Sequence, residues 1–586
     1  MKKRGVTDGA QADIFLNPSY ERDFYDPFLM RDMEKACIRI FEAIENKEKI
    51  IIYADYDCDG IPGAVILTDL FKLLKVPVEI YPHTKDFGVG VYIPQRNSEG
   101  YGLNLDAIKQ FASSGVKLLI TVDLGITAAA EVAQARVEGI DVIITDHHLP
   151  QEILPSAYAV LNPKTDDYPE KMLCGAGVAF KLAQAFIKKY GKENEQFKIK
   201  DGWEKWMLDM AGLATLSDMV PLTGENRAMA YFGMKVLKKS SRPGLQKLLA
   251  KMNIDQRYLS PDDIGFMVTP RLNAASRMDD PMRAYELLAT EDEKEAGALA
   301  DHLSKINDER KTIVTSIMRE VNKRISARGG SLPAGFGRRG AFGGGNSDKL
   351  PEVMVIGNPK WRVGVLGLVA GKICDEYRKP VFVWGRDENN CIKGSCRSDG
   401  SVSIMELMTE TCDSFIDFGG HEQAGGFTVH NEKIHFLEEA LSLSFCKIIT
   451  EKSTPSALGT SPYVGGGQVG VNFDIKFTLD SVNMKNWREI EKMEPFGLGN
   501  PKPVFLFENV KIEKIKKFGK NGSGEHLEIT FRDANKNKAK AVSFFSNHDS
   551  FDVPLAEEKK VNLLATFDLS RFRGKEELRL RVEDII

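Results

Sequence analysis

Between about residues 46 and 290, short β-branched runs alternate with stretches of helical periodicity. "KIIIYAD", ending at Asp55, precedes a helical stretch and then "VPVEIYP". "VKLLITVD", ending at Asp123, precedes "AAAEVAQARVEG" and then "IDVIITD", ending at Asp146. Strands buried on both faces read as near-continuous apolar runs, and a strand–helix–strand alternation winds them parallel. The pattern predicts an α/β fold with a doubly wound parallel sheet. Parallel strands deliver their C-terminal ends to one edge, where proteins of this class bind ligands. Asp55, Asp123 and Asp146 are therefore predicted to meet there, although they lie far apart in the chain.

The first run leads into "DYDCDG", which sets Asp55, Asp57 and Asp59 on alternate residues and ends at Gly60. Alone, it is the first half of an EF-hand loop. That loop needs a bidentate Glu at its twelfth position and a helix on each side. Counting from Asp55, the twelfth residue is Ile66, which carries no side-chain oxygen, and the preceding run reads as a strand. The aspartates are predicted at a strand-to-helix turn, with calcium buffering left as a minor alternative.

"ITDHH" places His147 and His148 directly after Asp146. An isolated histidine pair reads as an exposed loop. After a buried-type strand, at the edge that gathers Asp55, Asp57 and Asp123, the pair points to metal ligation. "AGLATLSDMVPL" adds Asp218 at what reads as a strand-to-loop junction, although alone it reads as a helix cap or turn residue. Carboxylates and imidazole without thiolates suit Mn²⁺ or Mg²⁺ better than zinc. Asp55, Asp57, Asp123, His147 and Asp218 could together hold two divalent cations, with Asp123 as the bridge. Two cations about 3.5–4 Å apart stabilise both the attacking and the leaving oxygen of an in-line phosphoryl displacement.

The 586 residues allow about three or four domains. Residues 1–45 read as an N-terminal lead segment and 46–290 as the catalytic domain. A long connecting helix is predicted over 291–326, followed by a Gly-rich linker or insertion over 327–350. A smaller α/β domain spans 351–455 and a second linker 456–470. Residues 471–586 read as a β-barrel of the OB type, from short strands such as "VFLFENVKI", "HLEITFRD" and "VNLLATFDL" separated by turn residues. There, "KIEKIKKFGKNGSGEH" presents Lys511, Lys514, Lys516, Lys517 and Lys520 beside Phe518. Lysines that follow a phosphate backbone, with an aromatic for base stacking, suit single-stranded nucleic acid. A solvated charged hairpin is an equal reading of this segment alone.

The net charge of −4 excludes a wholly basic nucleic-acid coat but allows a local basic channel. The eight cysteines include no C-x-x-C pair, so neither a structural zinc site nor a disulfide framework is predicted, and a reducing cytoplasm is the simpler compartment. No apolar run is long enough to span a bilayer and "MKKRGVTDGAQADIF" lacks the apolar core of a signal peptide, so no membrane association is expected.

"DYDCDG", "TVDLGIT", "TDHH" and "SDMVPL" resemble the four ordered motifs of the DHH phosphoesterase superfamily. "YIPQRNSEGYGLN", "LCGAGVAFKL", "TPRLNAASRM", "WRVGVLGLVAGKI", "KGSCRS", "GGHEQAGGF" and "EPFGLGNPKPVF" occur in order along nearly the whole chain. They resemble the superfamily's bacterial exonucleases specific for single-stranded DNA. The resemblance implies a DHH domain, a DHH-associated domain and an OB-like barrel. It implies that Asp55, Asp57, Asp123, His147 and Asp218 are the ligands of two cations, and that Asp59 and Asp146 orient them or serve as alternate ligands. His148 would steady the charge of the scissile phosphate.

Arg96 of "YIPQR" and Ser395 and Arg397 of "GSCRS" would bind a 5′-phosphate, whose oxygens an arginine fork matches; each arginine alone reads as a surface ion pair. Arg271, Asn273 and Arg277 of "PRLNAASR" would line the path of the strand. Gly419, Gly420 and His421 of "GGHEQAGGF" would bring backbone N–H groups close to nucleic acid, with a histidine packed in a tight turn as the rival reading of His421. Lys516, Lys517 and Phe518 would hold the strand on the barrel. Ile51 stands where the pyrophosphatase branch carries a metal-binding histidine, which counts against that activity.

The resemblance thus implies a metal-dependent exonuclease that degrades single-stranded DNA 5′→3′ to 5′-mononucleotides by two-metal in-line attack. It further implies a monomer of the bacterial cytoplasm acting in DNA repair and recombination, with a single-strand-binding protein and a helicase as partners. The residues alone support a two-metal phosphoesterase with a nucleic-acid-binding tail, and do not distinguish DNA from RNA. One alternative is a phosphodiesterase acting on short oligonucleotides or cyclic dinucleotides. Another is a non-catalytic DNA-binding scaffold.

Overall fold

The strand-like runs of the first half fold into one six-stranded sheet: β1 (Lys49–Ala54), β2 (Val78–Ile80), β3 (Gly88–Tyr92), β4 (Val116–Val122), β5 (Asp141–Thr145) and β6 (Ala159–Leu161). The structure, a computed structural model, describes residues 4, 6–84, 87–192, 194, 196–327, 350–453, 473–519, 526–544, 546, 550–551, 553–571 and 576–586. The chain divides into two compact units. The first comprises Met1–Thr312 with Glu494–Pro501, and the second Ile313–Met493 with Lys502–Ile586.

In the first unit the strand order is β2-β3-β1-β4-β5-β6 and every pairing is parallel. The chain leaves β1 for β2 and β3 on one side and returns to β4 on the other. β1 and β4 therefore flank a topological switch point, and their C-terminal ends open a crevice there. Burial on both faces explains the composition: in "KIIIYA" every residue after Lys49 is buried, and β4 is buried except for Lys117. The helix Gly60–Leu73 follows "DYDCD" and is buried for most of its length. It packs against the helix Gly175–Tyr190 so closely that a Cβ on Gly63 would lie 3.1 Å from the Ala176 Cα.

The lead segment is part of this unit. Its helix Met33–Glu45 buries Met33, Ala36, Cys37 and Ile40, and Arg39 ties it to Glu48 and Asp141, each at 2.7 Å. Residues Glu494–Pro501, inside the span expected for the barrel, also pack on the first unit: the Leu498 carbonyl accepts from the Leu222 N–H at 2.7 Å. The predicted connecting helix is a 35-residue helix, Glu293–Ala327. The linker predicted at 327–350 lies, except for Ala327 and Leu350, outside the described residues, as does the linker at 456–470.

One expectation fails. Asp218 does not follow a strand; it caps the C-terminus of the helix Leu208–Ser217. The small apolar run before it is rich in Ala and Leu, which favour helix when no β-branched series opposes them.

The second unit holds two further sheets. β7 (Met354–Gly357), β8 (Val381–Arg386), β9 (Ile392–Arg397), β10 (Phe415–Gly420) and β11 (Ala424–Val429) form a mixed sheet ordered β10-β11-β9-β8-β7. β12 (Ile475–Lys476), β13 (Phe505–Phe518), β14 (His526–Arg532), β15 (Lys538–Phe544), β16 (Lys560–Ser570) and β17 (Glu577–Ile585) run in the order β12-β13-β14-β15-β17-β16. Pairing of β13 with β16 closes this sheet into a barrel around Phe507, Ile512, Leu527, Ile529, Phe531, Leu563 and Leu580. Among the described residues, no helix is long and apolar enough to cross a membrane.

Candidate metal centre

The ends of β1, β4 and β5 bring Asp55, Asp123 and Asp146 together as the parallel sheet predicts, and the turns after them complete a carboxylate–imidazole cluster. Asp57 fixes the "DYDCDG" turn: its Oδ1 accepts the backbone N–H groups of Asp59 (2.8 Å) and Gly60 (3.2 Å). Gly60 is required here, because a Cβ on it would meet the Asp55 carbonyl oxygen at 2.4 Å. Asp123 adopts φ +62°, a left-handed conformation uncommon outside glycine. Held strain of this kind recurs at functional sites.

Three sets of side chains each bring one ligand atom per residue within 4.8 Å of the others: Asp55, Asp57 and Asp123; Asp59, His147 and Asp218; and Asp123, His147 and His148. Asp123 belongs to two of them. His147 Nε2 lies 3.2 Å from Asp123, 3.7 Å from Asp59 and 3.8 Å from Asp218. The buried Oδ1 atoms of Asp55 and Asp123 have no hydrogen-bond partner. Buried acceptors are normally satisfied, so these two oxygens mark where a cation fits.

The electrostatics agree. Burial, then the charges of Asp59, Asp57, Asp55 and Asp218, push the Asp123 carboxyl well above the usual range, and burial with the charge of Asp57 does the same for Asp55. Burial and the charges of Asp59 and Asp57 push Asp218 up to about 9. Burial, then the charge of His148, pulls His147 down to about 3, which leaves a neutral imidazole suited to ligation. Carboxylates so placed repel one another until a cation is present.

Asp59 and Asp146 are held differently from the rest. The Asp59 carboxylate accepts the N–H groups of Gly175 (2.6 Å) and Ala176 (2.7 Å), at the N-terminus of the Gly175–Tyr190 helix. Burial and Asp57 still raise its pKa to about 6 against those hydrogen bonds. Asp146 spends both oxygens on protein donors: Ile126 N–H at 2.9 Å, His147 N–H at 2.7 Å and His148 Nδ1 at 2.8 Å. Burial opposes its ionisation, but the hydrogen bond and charge of His148 keep its pKa below the usual value. Burial likewise opposes the His148 imidazolium, and the Asp146 hydrogen bond and charge outweigh it.

Four contributors to this site were not singled out from the sequence. A Cβ on Gly175 would lie 2.5 Å from the Asp123 Cβ, so glycine alone lets the helix end reach the cluster. The Tyr101 hydroxyl lies 3.2 Å from both the Asp123 carbonyl oxygen and His148 Nδ1. Lys164 donates to the His147 carbonyl. The Cys174 thiol, which accepts the Gly177 N–H at 3.3 Å, favours the ionised form of Asp59. Gly175 and Tyr101 lie inside quoted motifs, but nothing in their local spacing announces contact with Asp123.

Near the cluster, the Arg96 guanidinium sits 5.0 Å from the Tyr56 ring centroid, and its charge acts on Asp55. Arg277 acts on the same tyrosine. Arg271 is buried, with Nη1 donating to the Met267 carbonyl at 2.7 Å, and Asn273 lies on the same helix, Thr269–Met278.

In the second unit, Ser395 pairs with Gly426 and Gly426 with Gly419 across three adjacent strands. A Cβ on Gly419 would meet nothing within 4 Å, and one on Gly426 only the Gly394 carbonyl at 3.8 Å, so the row is open. Gly367, in the first turn of the helix Leu366–Tyr377, stands where a Cβ would be 3.2 Å from Arg397 Nη2 and 3.5 Å from Ser395 Oγ. The Ser395 and Arg397 side chains thus lie beside the first turn of the helix Leu366–Tyr377 and an open row of glycines. Gly420 and His421 occupy the exposed β10–β11 hairpin, where the His421 N–H and the Ala424 carbonyl are 2.7 Å apart.

On the barrel, Lys516 and Phe518 share one face of β13, opposite Glu528 and His526. Lys517 pairs with core-facing Leu527 and is exposed near the strand end. Phe518, His526 and Phe544 form a ring cluster with centroid separations of 5.2, 5.4 and 6.3 Å, and Arg579 and Arg581 stand 5.9 and 5.7 Å from Phe544. Lys511 is engaged by Glu558, and Lys520 lies outside the described residues.

Residues 49–215 match the DHH family, N-terminal domain; residues 351–444 match the DHHA1 domain; and residues 473–584 match the RecJ OB domain. The chain is 32% identical over 585 residues to the single-stranded-DNA-specific exonuclease RecJ of Bacillus subtilis, covering 99% of this chain and 66%, about two thirds, of that protein. It superposes on the crystal structure of RecJ from Thermus thermophilus in complex with Mn²⁺ with a TM-score of 0.72 at 24% identity, over 96% of this chain and 73% of the other. On exonuclease RecJ bound to manganese the TM-score is 0.60 at 27% identity, over 74% and 99%. With three domain matches in order and that identity along nearly its whole length, the chain belongs to the RecJ family of DHH proteins.

Proposed function

We propose that the protein is a metal-dependent exonuclease that degrades single-stranded DNA from its 5′ end and releases 5′-mononucleotides. The observation that carries this reading is the cluster at the switch point, where two buried carboxylate oxygens lack any hydrogen-bond donor. In this reading Asp55, Asp57, Asp123, His147 and Asp218 hold two Mn²⁺ or Mg²⁺ ions, with Asp123 shared. When bound, such ions supply electrostatic stabilisation to the attacking and leaving oxygens of an in-line displacement.

The remaining residues prepare that site. Asp59, clamped by a helix N-terminus, orients the neighbours it touches. Asp146 holds the His148 ring through Nδ1, and His148 steadies the charge of the reacting phosphate. Arg96 brings positive charge to the cluster rim. Ser395 and Arg397 take the 5′-phosphate beside the open row of glycines, which sets the direction of degradation. His421 contacts the backbone beyond it, and Lys516, Lys517 and Phe518 hold the strand that follows. The B. subtilis relative bears the name of a single-stranded-DNA-specific exonuclease, which supports this choice of substrate. A bacterial cytoplasmic setting, a monomeric state, a role in repair and recombination, and partnership with a single-strand-binding protein and a helicase complete the proposal.

Substrate choice tests it. With Mn²⁺ present, mononucleotide release is expected from long single strands and not from blunt duplexes of the same sequence. Hydrolysis confined to dinucleotides, or equal attack on duplexes, would contradict it.

A further inference from the structure

The segment Glu494–Pro501, from "EPFGLGNPKPVF", lies in the chain between parts of the second unit yet packs in the first. Its backbone folds back on itself: the Gly497 and Asn500 N–H groups donate to each other's carbonyl oxygens at 3.0 and 3.1 Å. Asn500 is fully buried; its Nδ2 donates to the Pro495 carbonyl at 2.8 Å and its Oδ1 accepts from Arg4 Nε at 2.7 Å. Arg227 anchors the start of the segment, with Nη1 donating to the Glu494 carbonyl at 2.7 Å and Nη2 to the Phe15 carbonyl at 3.0 Å. Connections between compact units normally make few contacts, so bonding on this scale calls for a local purpose.

What the segment grips is the loop Asp218–Thr223, which joins the helices Leu208–Ser217 and Gly224–Leu237. The Leu222 N–H donates to the Leu498 carbonyl at 2.7 Å. A Cβ on Gly497 would stand 2.8 Å from Leu222 Cδ1, and one on Gly499, at φ +75°, 3.3 Å from Pro221 Cβ. Within the loop, Met219 is held at φ +57°, a left-handed conformation that surrounding structure must maintain.

Asp218 needs such support more than its neighbours in the cluster. Asp57, Asp59 and Asp146 each accept backbone N–H groups that fix their oxygens. Among the described residues, none hydrogen-bonds the Asp218 carboxylate; His147 Nε2 stands 3.8 Å away. The main chain on either side therefore sets where this carboxylate points. Before it, Ser217 is fixed by a 2.6 Å hydrogen bond to Thr269. After it comes the loop that Glu494–Pro501 grips.

We propose that Glu494–Pro501 is a positioning segment for the metal ligand Asp218, acting through Met219–Leu222. The inference rests on the two-metal reading of the cluster and adds a part of the chain far from it in sequence.

Titration of the full chain with Mn²⁺, the free ion being counted by electron paramagnetic resonance, tests this without catalysis. The unaltered protein should bind two ions. Asn500→Ala opens the turn of the segment, and Gly499→Ala presses a methyl group against Pro221 at a φ that favours glycine. Each should weaken one site by about tenfold to a hundredfold, the usual cost of losing support behind a ligand, and leave the other site unchanged as a report that the fold is intact. Asp218→Asn should weaken the same site, and adding Asn500→Ala to it should cost nothing more, because the two changes act through one group. Retention of both sites in either variant, equal weakening of both sites, or additive losses in the double variant would overturn the inference. Fewer than two ions on the unaltered protein would instead defeat the two-metal reading itself.

Discussion

Replacing Asp123 with asparagine should stabilise the metal-free protein while removing its response to metal. The Asp123 carboxylate shares a 4.8 Å sphere with those of Asp55 and Asp57. At that separation and an effective dielectric of about 20, each fully ionised pair repels by about 3 kcal/mol. Part of this is already relieved by protonation, since burial and neighbouring charges raise the Asp123 and Asp55 pKa values. A net gain of about 1–3 kcal/mol is the expectation for the asparagine variant in chelator. At about 2 °C per kcal/mol for a unit of this size, the melting temperature should rise by about 2–6 °C. Mn²⁺ at about a hundred times its dissociation constant stabilises the unaltered protein by about 2.7 kcal/mol, or roughly 5 °C. The variant lacks the shared ligand and should respond little, so the order of stability reverses between the two conditions. Scanning calorimetry of both proteins in EDTA and in Mn²⁺ reads this directly. A variant less stable than its parent in EDTA, or one that keeps the Mn²⁺ shift, would refute the reasoning.

Gly175→Ala pushes a methyl group to 2.5 Å from the Asp123 Cβ; it should destabilise the fold by about 1–3 kcal/mol and erase the Mn²⁺ shift, as calorimetry would show. Arg397→Ala should lower kcat/KM on 5′-phosphorylated strands by about tenfold to a hundredfold, with little change on 5′-hydroxyl strands; equal losses on both would remove it from the phosphate site. Phe544→Ala should weaken single-strand binding by about 1–3 kcal/mol in fluorescence anisotropy and leave the Mn²⁺ shift unchanged, while unaltered affinity would show that the ring cluster is not a stacking surface.

The sheet was legible because parallel strands buried on both faces write themselves as apolar runs, and because each run that reaches the crevice ends in aspartate. Asp55, Asp123 and Asp146 follow from that rule alone. Asp218 was found as a carboxylate but assigned to the wrong element, since an Ala/Leu run fits a short strand until its helical neighbours are known. Gly175 and Tyr101 stayed hidden because their part in the site is a matter of packing: a missing Cβ facing Asp123, and a hydroxyl reaching its carbonyl oxygen. The barrel's lysine run was visible as a charged segment. The ring cluster beside it was not, because Phe518, His526 and Phe544 come from three different strands. Nor does sequence spacing reveal that both polar atoms of the Asn307 side chain and Arg310 Nε lack hydrogen-bond partners, a property of the folded interior.

The most direct test follows the fate of the two ends of one strand. A single-stranded oligonucleotide labelled separately at its 5′ and 3′ ends, incubated with the protein and Mn²⁺, should release labelled mononucleotide from the 5′ end at once. The 3′ label should remain on progressively shorter strands until late in the reaction. Early release of the 3′ mononucleotide, or undiminished degradation in EDTA, would contradict the account.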